Sequence, residues 1–301
     1  MFPVYAENGG ITMDLKQFRN TNADFQIATA PTSFDTGLDQ AGTKAELAKT
    51  MAKIKQEQRK LFADRRYGII VVLQAMDAAG KDSLISHVFS QVNPGGLRVA
   101  NFKRPSSTDL AHDFLWRINA QLPERGEIGI LNRSHYEDVL VSQVHPELIV
   151  NAHLPGIYDL ADVTPAFFAQ RRDDINHYES YLTHSGFVIL KFFLHVSKAE
   201  QKNRFLARIE RPEKNWKFER ADIAERRFWD AYQQAYQDTI QATSSKENPW
   251  YIIPADDKWT SRLLVAKIMV KRLKQLNLQF PVTPADQEQL MQDALKILAK
   301  E

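Results

Sequence analysis

Gly68-Ile69-Ile70-Val71-Val72-Leu73-Gln74-Ala75-Met76-Asp77-Ala78-Ala79-Gly80-Lys81-Asp82-Ser83 is the stretch whose reading decides the fold. An apolar run of strand length ends in small residues, and Gly80-Lys81 then opens a helical pattern, which is the order of a phosphate-binding loop. In such a loop the strand delivers the chain to a turn whose backbone N–H groups, with the positive end of the next helix, surround an anion. Lys81 reaches over the bound phosphates. Against the pattern G-x-x-x-x-G-K-[ST], Ala75 stands at the first glycine, Asp82 at the hydroxyl position, and Ser83 one place late. Asp77 puts a negative charge inside the loop, which repels phosphate unless a cation lies between them. On pattern alone, an ordinary strand-to-helix turn stands as the alternative.

Around this stretch lies a chain of 301 residues, long enough for one large domain or two small ones. Lys and Arg number 39 against 37 Asp and Glu, a net charge of +2, so no global charge draws the chain to nucleic acid and any anion site must come from local clustering. The absence of cysteine excludes disulfides, thiolate catalysis and cysteine metal sites. Residues 1–10 lack a basic segment followed by an apolar core, and no apolar run approaches the ~20 residues that span a bilayer. A soluble, cytoplasmic protein without membrane contact is expected.

Residues 1–41 show no sustained period and read as an extended or loosely packed N-terminal arm. Thr43 and Glu46 have capping-box spacing, and Leu47, Met51, Ile54 and Leu61 follow at helical intervals. The other face of this helix carries Lys49, Lys53, Lys55, Arg59 and Lys60, either a solvated face or a phosphate-contacting surface. Strands are predicted at about 68–73, 97–102, 128–131, 187–196 and 250–254. Between them lie helical patterns at about 80–92, 108–121 and 164–184, then one opened by Ser197 and Glu200 and ended by Arg211-Pro212, and one opened by Asp222 and Glu225. A further helix at about 259–276 precedes a tail, 281–301, that reads as a C-terminal helical extension. The alternation predicts a three-layer α/β domain over 42–280 with a five-stranded parallel sheet. Ligands of such sheets bind beyond the carboxyl ends of the strands, here the loop 75–81, Lys103-Arg104, Asn132-Arg133-Ser134, His195 and Asp256-Asp257.

Two further motifs carry chemistry. In P-loop enzymes the neighbouring strand commonly ends in an Asp that holds Mg²⁺. Asn132 takes that place in Asn132-Arg133-Ser134-His135-Tyr136-Glu137; a neutral amide supplies no charge to a metal, although its oxygen can coordinate one or hold a bound water. Arg133 suits phosphate because its planar fork binds two oxygens at once, with a structural ion pair to Glu137 or Asp138 as the alternative. Residues 202–220 hold Lys202, Arg204, Arg208, Arg211, Lys214, Lys217 and Arg220 against Glu210, Glu213 and Glu219, seven positive and three negative for a local charge of +4. The centre of this segment lies between two helices, which suits a lid closing cations over a polyanion; a solvated charged loop is the bland reading. No histidine pair has zinc-ligand spacing. Trp216, Phe218, Phe228, Trp229 and Tyr232 read as core or lid packing, with base-stacking platforms as the alternative.

Asp77-Ala78-Ala79-Gly80-Lys81-Asp82, His112-Asp113-Phe114-Leu115-Trp116-Arg117, Asn132-Arg133-Ser134-His135-Tyr136-Glu137-Asp138, and Arg211-Pro212 with Trp216-Lys217 together resemble the family-2 polyphosphate kinases, over about residues 47–281. The resemblance implies a P-loop kinase fold similar to thymidylate kinase, with a helical lid at about 202–222, that transfers phosphate between inorganic polyphosphate and adenine nucleotides with Mg²⁺, or Mn²⁺ as a substitute. Carried over by position, Asp77, Lys81, Arg133, Arg208 and Arg211 are the candidate catalytic residues. Ala78, Ala79, Gly80, Asp82, Ser83, Lys103, Arg104, Asn132 and Lys217 are the candidate substrate contacts, and Asp77 and Glu137 the candidate metal ligands. Many members have Asp-Arg-Ser at 132–134; the Asn form with Glu137 after Tyr136 resembles the class III branch, which phosphorylates both AMP and ADP. The family usually has a small residue and then Thr after Gly-Lys-Asp, where Ser83 and Leu84 stand. Exposed apolar faces on the long middle helices, with the resemblance, lead us to expect a homo-oligomer. An ATP-dependent kinase of the thymidylate-kinase type and a silent polyphosphate-binding module are the competing readings.

Overall fold

The computed structural model describes residues 4–5, 11–299 and 301. Its strands are β1 (Val4–Tyr5), β2 (Ile11–Thr12), β3 (Arg19–Asn20), β4 (Gly68–Ala75), β5 (Leu97–Asn101), β6 (Ile128–Asn132), β7 (Phe187–His195) and β8 (Trp250–Pro254). The helices are α1 (Gln40–Asp64), α2 (Lys81–Val88), α3 (Ser107–Leu110), α4 (Trp116–Asn119), α5 (Glu137–Val144), α6 (Glu147–Val150), α7 (Pro165–His184), α8 (Lys198–Glu210), α9 (Arg220–Glu225), α10 (Trp229–Thr243), α11 (Lys258–Gln275) and α12 (Ala285–Leu298). Among the described residues no helix is long and apolar enough to cross a membrane.

The central sheet has the order β3-β8-β7-β4-β6-β5. All five strands expected from the sequence are in it, and they are mutually parallel. β4 lies in the middle and is buried along its whole length, which is why Ile69 to Leu73 are apolar without alternation. One group of helices, α1, α2 and α11, packs together, and a second, α5, α7 and α10, does likewise, so the sheet is covered on both faces in three layers. The apolar core is continuous from Phe18 to Leu278.

The expectation of five parallel strands needs correcting to a mixed sheet of six. β3 adds to the edge antiparallel to β8, pairing Arg19 with Tyr251 and Asn20 with Trp250. Two residues carry no period, so this strand left no signal in the sequence. Nor is the described part of 1–41 loose: Phe18, Phe25 and Ile27 are buried, and Phe18 meets Phe34 edge-on. The first long helix begins at Gln40 rather than Thr43. Asp39 is its cap, accepting from the Gly42 N–H at 2.7 Å, while the Thr43 hydroxyl donates back to the Asp39 carbonyl and Glu46 pairs with Lys267 at 2.6 Å. The helix expected over 108–121 is broken into α3 and α4, because Asp113 accepts from the Leu115 N–H and restarts the chain. Ser197 caps α8 as its spacing predicts, accepting from the Glu200 N–H at 3.1 Å.

Candidate active site

The loop after β4 is built by a left-handed Ala78 (φ 60°) and a left-handed Gly80 (φ 110°), with the Ala79 N–H closing a turn onto Met76 O. Its carbonyls are held from one side by α8. Gln201 Nε2 donates to Asp77 O at 3.0 Å, and Arg204 donates to Ala78 O at 3.1 Å and to Ala79 O. The same guanidinium reaches Ala255 O and Asp256 O beyond β8, and its Nε donates to Glu200 at 2.8 Å. In a planar trans peptide the N–H points opposite to the C=O, so the Ala78 and Gly80 N–H groups face away from α8. With the first turn of α2, which no side chain caps, they are donors without a partner among the described residues and suit an anion. Lys81 Nζ donates to Ala75 O at 3.0 Å. Burial, with nearby Arg133, lowers the Lys81 pKa against the pull of Asp77, Glu137 and Asp82.

At the end of β6, Asn132 Nδ2 donates to Asp82 Oδ1 at 2.7 Å and to Asn101 Oδ1 at 2.8 Å. The amide therefore pins the carboxylate that stands where a P-loop hydroxyl is usual. Asn132→Asp would oppose two carboxylates at this distance, tolerable only with a proton or cation between them. We expect that variant to melt below the wild type in chelator and to recover with added Mg²⁺, as read by thermal denaturation in both buffers. Arg133 adopts a left-handed backbone (φ 63°), with its N–H on Leu73 O at 3.3 Å, and its guanidinium lies 3.5 Å from Asp77 Oδ1 and 3.5 Å from Glu137 Oε2. Burial opposes its charge, but Glu137 and Asp77 raise its pKa, so it stays protonated. Both readings of Arg133 thus coexist in one geometry: it is ion-paired, and it opens to the site.

Beneath this segment is a buried network. Lys191 Nζ lies 2.6 Å from Glu179 Oε2, Tyr136 donates to Glu179 Oε1 at 2.7 Å, and Lys191 also donates to Thr243 O at 2.7 Å. Burial pushes the Glu179 carboxyl up, yet Lys191 and His135 bring it below its usual range. Ser134 is buried too, its hydroxyl accepting from Gln74 and from the Tyr136 N–H, so Gln74 and Glu179 tie the segment after β6 to the core.

A cleft of about 1190 Å³ opens over the loop. Lys103 and Arg104 border it after β5, Arg208, Arg211, Lys214 and Lys217 from α8 and the 212–217 turn, and Lys258 after β8. Ten cationic residues line it against five acidic ones, so an excess of +5 that the near-neutral chain conceals is gathered in one place. Arg208 is held by Asp222 at 2.8 Å. Every candidate catalytic and substrate residue borders this cleft. Glu137 does not; it borders an adjoining pocket of about 230 Å³ with Leu140, His145, Tyr232 and Tyr236, and the two spaces share Asp77, Lys81, Arg133 and Asp222.

Some expectations are redirected. Ser83 neither caps α2 nor stands free: its hydroxyl accepts from Arg262 on α11 at 2.5 Å. The Lys49 to Lys60 face of α1 is the solvated one, since none of its cations borders the cleft and α1 ends at Asp64, beside Gln279 and just before the start of β4, at the opposite end of the strands from the loop. Asp222 lies within the first turn of α9 rather than opening it. Arg204, Gln201 and Lys258 were absent from the candidate site. For Gln201 and Arg204 the signal is helical phase: counted from the Ser197 cap, they share the buried face with Phe205, which a simple charge count does not register.

Residues 37–281 match the family described as polyphosphate kinase 2. The chain is 42% identical over 286 residues to the ADP-polyphosphate phosphotransferase of Rhodopseudomonas palustris, covering 94% of this chain and 98% of that one. It is also 42% identical over 261 residues to the AMP/ADP-polyphosphate phosphotransferase of Meiothermus ruber, covering 85% and 92%. The crystal structure of polyphosphate kinase 2 from Arthrobacter aurescens superposes with a TM-score of 0.82 at 35% identity, over 93% of this chain and 97% of that chain. A match whose span takes in the loop, the end of β6 and the basic segment after α8 places this chain in the polyphosphate kinase 2 family.

Proposed function

We propose that the protein transfers the terminal phosphate of inorganic polyphosphate to AMP and to ADP, giving ADP and ATP. The carrying observation is the cleft: a phosphate loop at its floor and cations extending from Lys103 to Lys258 suit a chain of phosphates longer than one triphosphate. The acceptors follow the names of the two relatives, and Asn132 with Glu137 supports use of both.

In the reaction a terminal phosphate oxygen of the acceptor attacks the terminal phosphorus of the chain. The new P–O bond forms as the bridging P–O bond breaks, and the electron pair leaves on the shortened polyphosphate. That acceptor oxygen is already anionic at neutral pH, so no general base is required, and catalysis reduces to positioning and neutralising charge. Lys81 and the loop N–H groups hold the donor. Arg133, clasped at 3.5 Å by each of two carboxylates and so not saturated by them, turns its fork to the transferring group. Arg208, Arg211 and Lys217 close from the lid side.

Among the described residues no group of three or more His, Asp or Glu side chains is arranged to hold a metal. The donors instead fit Mg²⁺ in its common form, one or two carboxylates completed by phosphate oxygens and water, with Asp77 as the ligand on the loop and Glu137 behind it. Bound Mg²⁺, or Mn²⁺, neutralises phosphate charge. A cytoplasmic setting fits these substrates, and exposed Tyr158, Leu160 and Tyr181 support a homo-oligomer.

The test is incubation with AMP, Mg²⁺ and polyphosphate as sole donor, followed by separation of the nucleotides. ADP and then ATP are expected. Product formed only when ATP replaces polyphosphate would overturn the proposal.

A further inference from the structure

The cations of the cleft do not stop at its rim. Lys258 borders the cleft, and the next residue, Trp259, meets two cations: Arg262 Cζ lies 4.3 Å and Lys44 Nζ 4.6 Å from its ring centroid. Arg262 is joined to the loop through its bond to Ser83. Lys44 belongs to α1, whose last residue, Asp64, accepts from the Gln279 N–H beyond the end of α11 at 3.1 Å. The two helices therefore run side by side in the same direction, and Lys44 stands at the site end of the sheet, unlike the lysines farther along α1.

The row is closely spaced. Burial lowers the Lys258 pKa, and Arg204, Lys214 and Arg262 lower it further against the pull of Glu200; burial lowers that of Arg262 against the pull of Asp257, with Arg204 adding to the fall. Facing acids are already engaged: Asp257 caps α11 on the Thr260 N–H at 2.7 Å, Asp39 caps α1, and Glu200 pairs with Arg204. Cations gathered in this way attract a polyanion passing over them.

We infer that Lys258 and Lys44 extend the donor site out of the cleft, with the buried Arg262 adding fixed positive charge against Trp259, so that a long polyphosphate chain leaving the loop runs past Trp259 to the start of α1. The inference rests on the functional reading above. It makes chain length a determinant of affinity: tripolyphosphate fills the loop alone, whereas a long chain also reaches Lys44.

The experiment measures binding of tripolyphosphate and of long-chain polyphosphate by calorimetry, in parallel with their kcat/KM for ADP phosphorylation. Lys44 is exposed, so Lys44→Ala and Lys44→Glu keep the fold. The preference for the long chain over tripolyphosphate is expected to fall about 2- to 5-fold in Lys44→Ala, the range of exposed charge contacts, and about 10-fold in Lys44→Glu, where repulsion replaces attraction. Lys53→Glu, the same charge change on the solvated face of α1, is expected to keep the wild-type preference. An unchanged preference in Lys44→Glu, or an equal fall in Lys53→Glu, overturns the inference. Absence of turnover with either donor defeats the functional reading, and the binding preference then decides the extension by itself.

Discussion

Lys81→Met is expected to lower kcat for transfer from polyphosphate by about 10²–10³-fold, the loss seen when one preorganised donor is removed from a developing charge. The ammonium lies where the loop, Asp77 and Arg133 converge, part-buried, so its interaction with a phosphate oxygen is weakly screened by water. In the protein as described it makes one hydrogen bond, to Ala75 O. Losing that bond costs about 1 kcal/mol, so the variant should fold and melt near the wild type. Arg204 and Gln201 still hold the loop carbonyls in Lys81→Met, which separates loss of the charge from loss of the loop. Steady-state kinetics with AMP and ADP, beside a thermal melt, checks both halves. A kcat within about threefold of the wild type would remove Lys81 from the catalytic role.

The largest effect on stability is expected from Lys191→Met. Lys191 and Glu179 are 0% and 2% exposed and 2.6 Å apart, and removing one member of such a pair leaves a charge buried without its partner, at a cost of about 3–5 kcal/mol. Tyr136 ties the pair to the segment that carries Arg133, so activity should fall with stability. Lys191→Met combined with Glu179→Leu should recover most of the loss in urea unfolding, because an apolar pair of similar volume needs no counter-charge. Activity would return less completely, since Tyr136 keeps no acceptor on α7. A double variant as unstable as the single one would mean that packing, not charge, explains the effect.

The sequence announced the site far better than it announced the scaffold's margins. β4, β6, β7 and β8 are buried on both faces, and uninterrupted apolar runs such as Ile69 to Leu73 mark them plainly. β1, β2 and β3 have two residues each, too few for any period, and β3 is held by a partner distant in the chain, Asn20 against Trp250. Helix starts were visible where the capping spacing was unambiguous, at Ser197 and Thr164, and misplaced at Thr43, where Asp39 four residues earlier competes for the same role. Of the site, most residues that touch the cleft through charge could be named in advance, Lys258 being an exception. Those that act through the backbone could not: Arg204 reads as one more cation in a basic run until the fold brings Ala78, Ala79, Ala255 and Asp256 to it. Asn132 shows the same limit, since its partner Asp82 is fifty positions away.

Polyphosphate labelled in its terminal phosphate, given as sole donor to the wild type and to Lys81→Met with ADP and Mg²⁺, tests the central claim most directly. Label should appear in the terminal phosphate of ATP with the wild type and at least about 100-fold more slowly with the variant. Label entering ATP equally fast with both proteins, or entering with neither while ATP serves as donor, would contradict it.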